Sequence, residues 1–136
     1  MNWTIKHIKS DKFVKVTCKG IFSIEKLPEC FKKLLACAFW KPGMNLLIDN
    51  QKLTLCQTDL EKMRTASNDY QQVSGQLGKG KMALLMKSVV NYGLGRQFQT
   101  LSEEKGQSDI QVFNDEKTRA AFEACLFEKG KEGVRF

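Results

Sequence analysis

The chain has 136 residues, one domain's length and enough to bury a core without disulfide or metal staples. Its 42% hydrophobic and 27% charged residues exclude a disordered tail, a collagen-like fibre and a disulfide-dense miniprotein. Lys and Arg number 22 against 15 Asp and Glu, a net charge of +7; up to Lys41, nine basic residues face three acidic ones, and the remainder is nearly balanced.

Residues 3–9 read as a short strand, followed by a turn at Ser10-Asp11. In residues 13–19, Val14, Val16 and Cys18 take one face and Lys15, Thr17 and Lys19 the other, the pattern of a strand with one wet side. Gly20 ends it. Ser23 is the expected N-cap of a helix whose Ile24, Leu27, Phe31, Leu34, Leu35, Ala38 and Phe39 recur at helical spacing, with Pro28 close enough to the start to be tolerated. Lys41-Pro42-Gly43 stops it. Residues 44–48 form a brief apolar strand ending in Asp49, and residues 50–57 read as a loop. Thr58-Asp59-Leu60-Glu61 has the form of a capping box opening a helix that carries Leu60, Met63, Tyr70 and Val73 to Gly75. Gly78-Lys79-Gly80 is a turn, and residues 81–87 surround the apolar strand Met82-Ala83-Leu84-Leu85-Met86. Asn91-Tyr92-Gly93-Leu94-Gly95 reads as a turn leading into a helix through about Glu104, with Arg96 in its first turn. Residues 110–113 make a last strand, and Asn114 caps a final helix with Ala121, Phe122, Cys125 and Leu126 facing inward.

Strand–helix alternation after an opening hairpin predicts an α/β fold. The expected sheet is mixed, mostly parallel and four- to five-stranded, with an N-terminal antiparallel hairpin and helices mainly on one face. Residues 1–136 are expected to form a single domain.

Five cysteines at 18, 30, 37, 56 and 125, odd in number and without a CxxC, accompany a start that lacks the apolar stretch of a signal peptide. A reduced, cytoplasmic location follows as the expectation. Cys30 and Cys37 fall on one helical face among apolar residues and read as small hydrophobes. His7 is the single histidine, so a His-rich metal site is excluded, and neither metal nor cofactor is expected. The basic residues are not interleaved with aromatics and no reading-helix motif is present, so no nucleic-acid partner is expected. No apolar run approaches the roughly 20 residues of a membrane helix.

Leu46-Leu47-Ile48-Asp49, Lys81-Met82-Ala83-Leu84-Leu85-Met86 followed by Tyr92-Gly93-Leu94-Gly95-Arg96-Gln97-Phe98, and Ile110-Gln111-Val112-Phe113 with the helix after it resemble, in this order, the STAS domains, the family of bacterial anti-sigma-factor antagonists, in its stand-alone branch grouped with CRAL-TRIO lipid-binding domains. The resemblance implies a non-catalytic regulatory module that binds a protein partner. In phospho-switched members a Ser follows the strand-ending Asp at the start of the next helix; counting from Asp49 places Thr58 at that phosphoacceptor position, with Gln57 and Leu60 standing where the motif has Asp and Gly.

Thr58 thus has two readings: an N-cap worth about 1 kcal/mol, or a modification site whose phosphate alters the docking charge by nearly two units. Asp49, at the carboxyl end of a buried strand where α/β sheets place their ligands, and Asp59 and Arg96 at helix starts, are candidate docking or ligand contacts. Arg96 is read either as half of a salt bridge or as an anion contact. Gly93-Leu94-Gly95 lacks the GxGxxG spacing of a dinucleotide site, and no Ser-His-Asp set or phosphate loop is present, so an enzyme is not expected. The rival to protein docking is a small apolar ligand held between sheet and helices, with Phe22, Phe31, Phe39, Met63, Tyr70, Met86 and Phe98 as wall or as filled core. A homodimer through edge strands is a further expectation.

Overall fold

A computed structural model describes residues 1–8, 13–103, 106 and 108–114. Five strands form one sheet in the order β1-β2-β3-β4-β5: β1 (Asn2–Ile8), β2 (Phe13–Ile21), β3 (Asn45–Thr54), β4 (Lys81–Leu85) and β5 (Asp109–Phe113). β1 runs antiparallel to β2 with Asn2 opposite Lys19 and Ile8 opposite Phe13; every later pairing is parallel. The parallel steps are spanned by α1 (Leu27–Leu35), α2 (Lys62–Leu77) and α3 (Val89–Ser102). Because strand order advances one way without reversal, right-handed crossovers put all three helices on the same face. The expected fold class is the observed one.

Side-chain alternation divides the sheet's apolar residues into two groups. Val14, Val16, Cys18, Leu46, Met82, Leu84, Ile110 and Val112 face the helices and join their buried residues in the main core. Phe13, Leu47, Ala83 and Leu85 pack together on the opposite face. The alternation slips between Thr17 and Lys19, where the β3 partner moves from Asp49 to Lys52. That extra β3 residue is a bulge, and beyond it Leu53 rejoins the main core.

Several boundaries depart from the sequence reading. Ser23 makes no capping bond; its hydroxyl donates to the Glu25 carboxylate at 2.9 Å, and a 3-10 turn, Ile24–Lys26, precedes α1. α1 stops at Leu35 because the chain tightens into a turn, Cys37 N–H donating to the Leu34 carbonyl. Phe39 then stacks on His7 with ring centroids 4.8 Å apart, and the Trp40 indole donates to the Gln76 carbonyl at 3.2 Å. β3 runs past Asp49 to Thr54, since its polar residues still pair with the end of β2. α2 continues through Gly75 and ends at Gly78, whose φ of 84° and close approach to the Pro42-Gly43 backbone both exclude a Cβ. α3 begins at Val89, where the Ser88 hydroxyl accepts from the Asn91 N–H at 3.1 Å. The final helix expected after Asn114 lies outside the described residues.

Helix-to-helix and helix-to-strand polar contacts fix the layer over the sheet. The Ser67 and Ser102 hydroxyls join α2 to α3 at 2.8 Å. The buried Tyr70 hydroxyl accepts from the Ser108 N–H at 3.0 Å, and its ring meets Phe98 edge-on.

Candidate functional site

Between the sheet and the three helices lies a cavity of about 100 Å³. Its floor is Val16 and Cys18 from β2, Ile48 and Asn50 from β3, and Leu84 and Met86 from β4 and the residue after it. Its roof includes Cys30 and Leu34 of α1, Met63 and Ala66 of α2, and Leu94, Gly95 and Phe98 of α3. The wall follows from residue type. Unbranched Met side chains adapt without filling space uniformly, and Ala66 and Gly95 reach less far than the branched residues around them. Gly95 has a second role: a Cβ there would stand 2.9 Å from a Val112 methyl and 3.3 Å from Met86, so its absence lets α3 lie close on β4 and β5.

Among the described residues, Asn50 is the one lining side chain that carries nitrogen or oxygen. It is half-buried, and its amide nitrogen donates to the Met86 sulfur at 3.7 Å. Six lining residues carry sulfur: Met1, Cys18, Cys30, Met63, Met82 and Met86. Cys18 of β2 and Cys30 of α1 are both buried and free, and both line the cavity. The neighbouring Cys30 thiol holds Cys18 below the ordinary thiol range, against burial and the charge of Asp49. The Cys18 thiol, with burial, pushes Cys30 above that range.

The candidate contact residues from the sequence do not gather into one site. Asp49 lies within β3 rather than at its end, on the face opposite the cavity. Its carboxylate accepts from the Gln51 N–H at 3.0 Å and stands 3.9 Å from the Lys15 ammonium. Asp59 is buried and serves the chain itself: one oxygen accepts from the Cys56 N–H at 2.8 Å, the other pairs with Lys62 at 3.1 Å. Burial alone would raise its pKa; the Cys56 amide, the Lys62 ammonium and the Cys56 thiol together outweigh it and hold the carboxyl below the usual range. The capping box is therefore Cys56 with Asp59, not Thr58 with Glu61. Thr58 falls inside the 3-10 turn Gln57–Leu60, and its side chain lies outside the described residues. Arg96 is exposed in the middle of α3, not in its first turn, and makes no ion pair among the described residues. Gly93 and Gly95 are helical rather than part of a turn.

Of the apolar residues named from sequence, Phe22, Phe31, Met63, Met86 and Phe98 line the cavity, whereas Phe39 and Tyr70 do not. Sequence reasoning missed Asn50, within its expected loop, and the presence of Cys18 and Cys30 in one cavity wall. Among the described residues no group of three His, Cys, Asp or Glu is placed to hold a metal, and no helix is long and apolar enough to cross a membrane.

No family model matches the chain, and no curated protein matches it. Among solved structures it is similar to an uncharacterized protein of the DUF3478 family with a SpoIIAA-like fold from Shewanella loihica PV-4. The identity is 15%, the match covers 89% of this chain and 91% of that one, and the TM-score is 0.50. The protein is thus of the SpoIIAA-like α/β fold. The likeness does not support the CRAL-TRIO relation.

Proposed function

We propose that this protein is a non-catalytic binding module in which a SpoIIAA-like scaffold holds one compact apolar ligand carrying a single hydrogen-bonding group. The observation behind this reading is the cavity, apolar on every side except at Asn50. A ligand that enters it removes apolar surface from water, its own and the wall's, at roughly 25 cal/mol per Å². The Asn50 amide supplies orientation, since a polar group on the ligand can replace the weak contact to Met86 sulfur. Nothing in this site calls for bond-making, which is the basis for proposing a binder over an enzyme.

The test is calorimetric titration of the full chain with straight-chain alcohols from butanol to octanol. Affinity is expected to rise about fourfold per added CH2 until the cavity is full, then to level off. Ala66→Leu, which extends an isobutyl group into the cavity, is expected to weaken the best alcohol by about tenfold or more while leaving the circular dichroism spectrum unchanged. Failure of every alcohol to bind the wild type discards the reading.

A protein-docking reading retains one observation: the turn carrying Thr58 connects β3 to α2 and packs beside α3, so charge added there would alter a rim built from three elements. Thr58→Glu adds negative charge at this rim. On this reading it changes which proteins are retained from an extract of the native cells; identical retention by both forms removes Thr58 as a switch.

A further inference from the structure

We propose that the outer edge of β1 takes up an extended segment of a protein partner in which acidic and apolar residues alternate, so that the partner adds a strand to the sheet beyond β1. β1 stands first in the sheet order, and among the described residues no strand lies outside it. Its inner side pairs with β2 along its whole length, from Asn2 to Ile8. The outer side therefore presents N–H and C=O groups with no backbone partner among the described residues. No proline interrupts the row. Such an edge is a template for an added strand.

The two faces of that edge specify what can lie against it. Trp3 and Ile5 point toward the helices and pack on the main core, and His7 on the same side stacks on Phe39. All three are only half-buried, so an apolar side chain beside them removes further apolar surface from water. Asn2, Thr4 and Lys6 point to the opposite face and are exposed. There Lys6 stands directly across from Lys15, and Asn2 across from Lys19, which in turn stands across from Lys52 of β3. Like charges in directly opposed positions destabilise a strand pair. β1 and β2 contain no Asp or Glu. Of these four lysines only Lys15 has a carboxylate beside it among the described residues, that of Asp49.

A strand added at β1 meets both faces at once, because successive side chains of an extended segment alternate. Acidic residues suit the positions beside Asn2, Thr4 and Lys6, where a carboxylate relieves the opposed lysines. Apolar residues suit the positions beside Trp3, Ile5 and His7. Other occupants fit less well. A second copy of β1 brings another lysine and no carboxylate, and a lysine on an edge strand discourages that association. A nucleic acid finds phosphate partners in the lysines, but no exposed aromatic ring among the described residues of their face for a base to stack on. β5, at the far edge of the sheet, is shorter and carries the exposed Asp109, which repels the same segment. No residue of β1 lines the cavity, so this edge is independent of the ligand reading.

The experiment titrates the full chain into a fluorescein-labelled seven-residue peptide in which Glu alternates with Val. Saturable binding is expected in fluorescence anisotropy, weakening about tenfold or more as ionic strength rises from about 0.01 M to about 1 M. Hydrogen exchange of β1 amides is expected to slow in the complex. The same peptide methylated on its backbone nitrogens is expected to bind at least about tenfold more weakly, because it cannot donate to the edge. Lys6→Glu, which turns the like-charge pair with Lys15 into an opposite-charge one and so keeps the fold, is expected to weaken the peptide about fivefold. Lys79→Glu makes the same charge change at the exposed turn before β4 and is expected to stay within about twofold of wild type. Absence of binding, equal binding of the methylated peptide, or equal weakening by the two variants would overturn the proposal. So would β1 amides already protected in a dimer of the free chain, or protected as well by an oligouridylate of equal charge.

Discussion

On the face that α1, α2 and α3 cover, the sheet presents Met82, Leu84, Met86, Cys18 and Ile48, and a cavity remains above them. On the opposite face Ala83 and Leu85 are completely buried beside Phe13 and Leu47, and the same strands carry the Lys15–Asp49 pair. Both groups come from the same strands, one residue out of phase. Parallel strands buried on both sides give no period-2 polarity to say which face has a task. Side-chain shape makes the distinction: thioethers and thiols leave room beneath helices that carry Ala66 and Gly95, whereas short and branched residues close the other side. The space here is a consequence of incomplete filling, not of a polar cluster.

The largest expected effect sharpens that difference. Leu47→Ala, at a site only 1% exposed, is expected to cost about 3 kcal/mol in denaturant unfolding while leaving alcohol affinity within about twofold of wild type. Met82→Ala on the cavity face is expected to cost a comparable amount and to shift the preference toward longer alcohols. Equal changes in alcohol binding from the two variants would show that the faces are not independent.

Next in size is the cap that sets α2 over the sheet. Asp59→Ala removes the acceptor for the Cys56 N–H and the partner of Lys62, with an expected loss of about 1–2 kcal/mol near neutral pH. The Asp59 carboxyl is held below its ordinary value in the folded chain. The unfolded chain therefore takes up the proton first, at about pH 3.9. The stabilisation is complete above that pH and is lost as the pH falls through the lower folded-state value. Stability curves of wild type and variant, measured from pH 6 to pH 2, should converge at the acid end; a constant gap would assign the loss to packing instead of charge.

Short-range pattern carried much of this architecture. The alternation of Val14, Val16 and Cys18 against Lys15 and Thr17 identifies both β2 and its two faces, and the apolar runs at 82–86 and 110–113 identify neighbouring parallel strands. The errors fall where partners are remote in sequence. Residues 50–54 are polar enough to read as a loop, and only pairing with Lys19, Gly20 and Ile21 extends β3 through them. Cys56 and Thr58 begin overlapping capping boxes two residues apart, and Asp59 engages the first. Spacing relates Cys30 to Cys37 along one helix, yet Cys30 lines the cavity together with Cys18, which lies on a strand. Residue type alone cannot tell a cavity wall from a filled core, since both call for Phe, Met and Leu.

The start of α3 gives the last case, and the smallest expected effects. Val89, Val90, Gly93 and Gly95 are weak helix formers, so local preference argues for a turn, and packing against β4 and β5 overrides it. The two glycines separate these influences. Nothing lies within 4 Å of a Cβ built on Gly93, so Gly93→Ala is expected to stabilise the protein by about 0.5–1 kcal/mol through backbone entropy and propensity. Gly95→Ala gains the same propensity but meets the Val112 methyl at 2.9 Å and Met86 at 3.3 Å. Overpacking of about 1–3 kcal/mol exceeds that gain, for an expected net loss near 1 kcal/mol. The clash also displaces Met86, which lines the cavity, so alcohol binding should weaken in Gly95→Ala and stay unchanged in Gly93→Ala. Stabilisation by both substitutions would mean that α3 is not held close to the sheet at Gly95, and that the cavity owes its shape to something other than that contact.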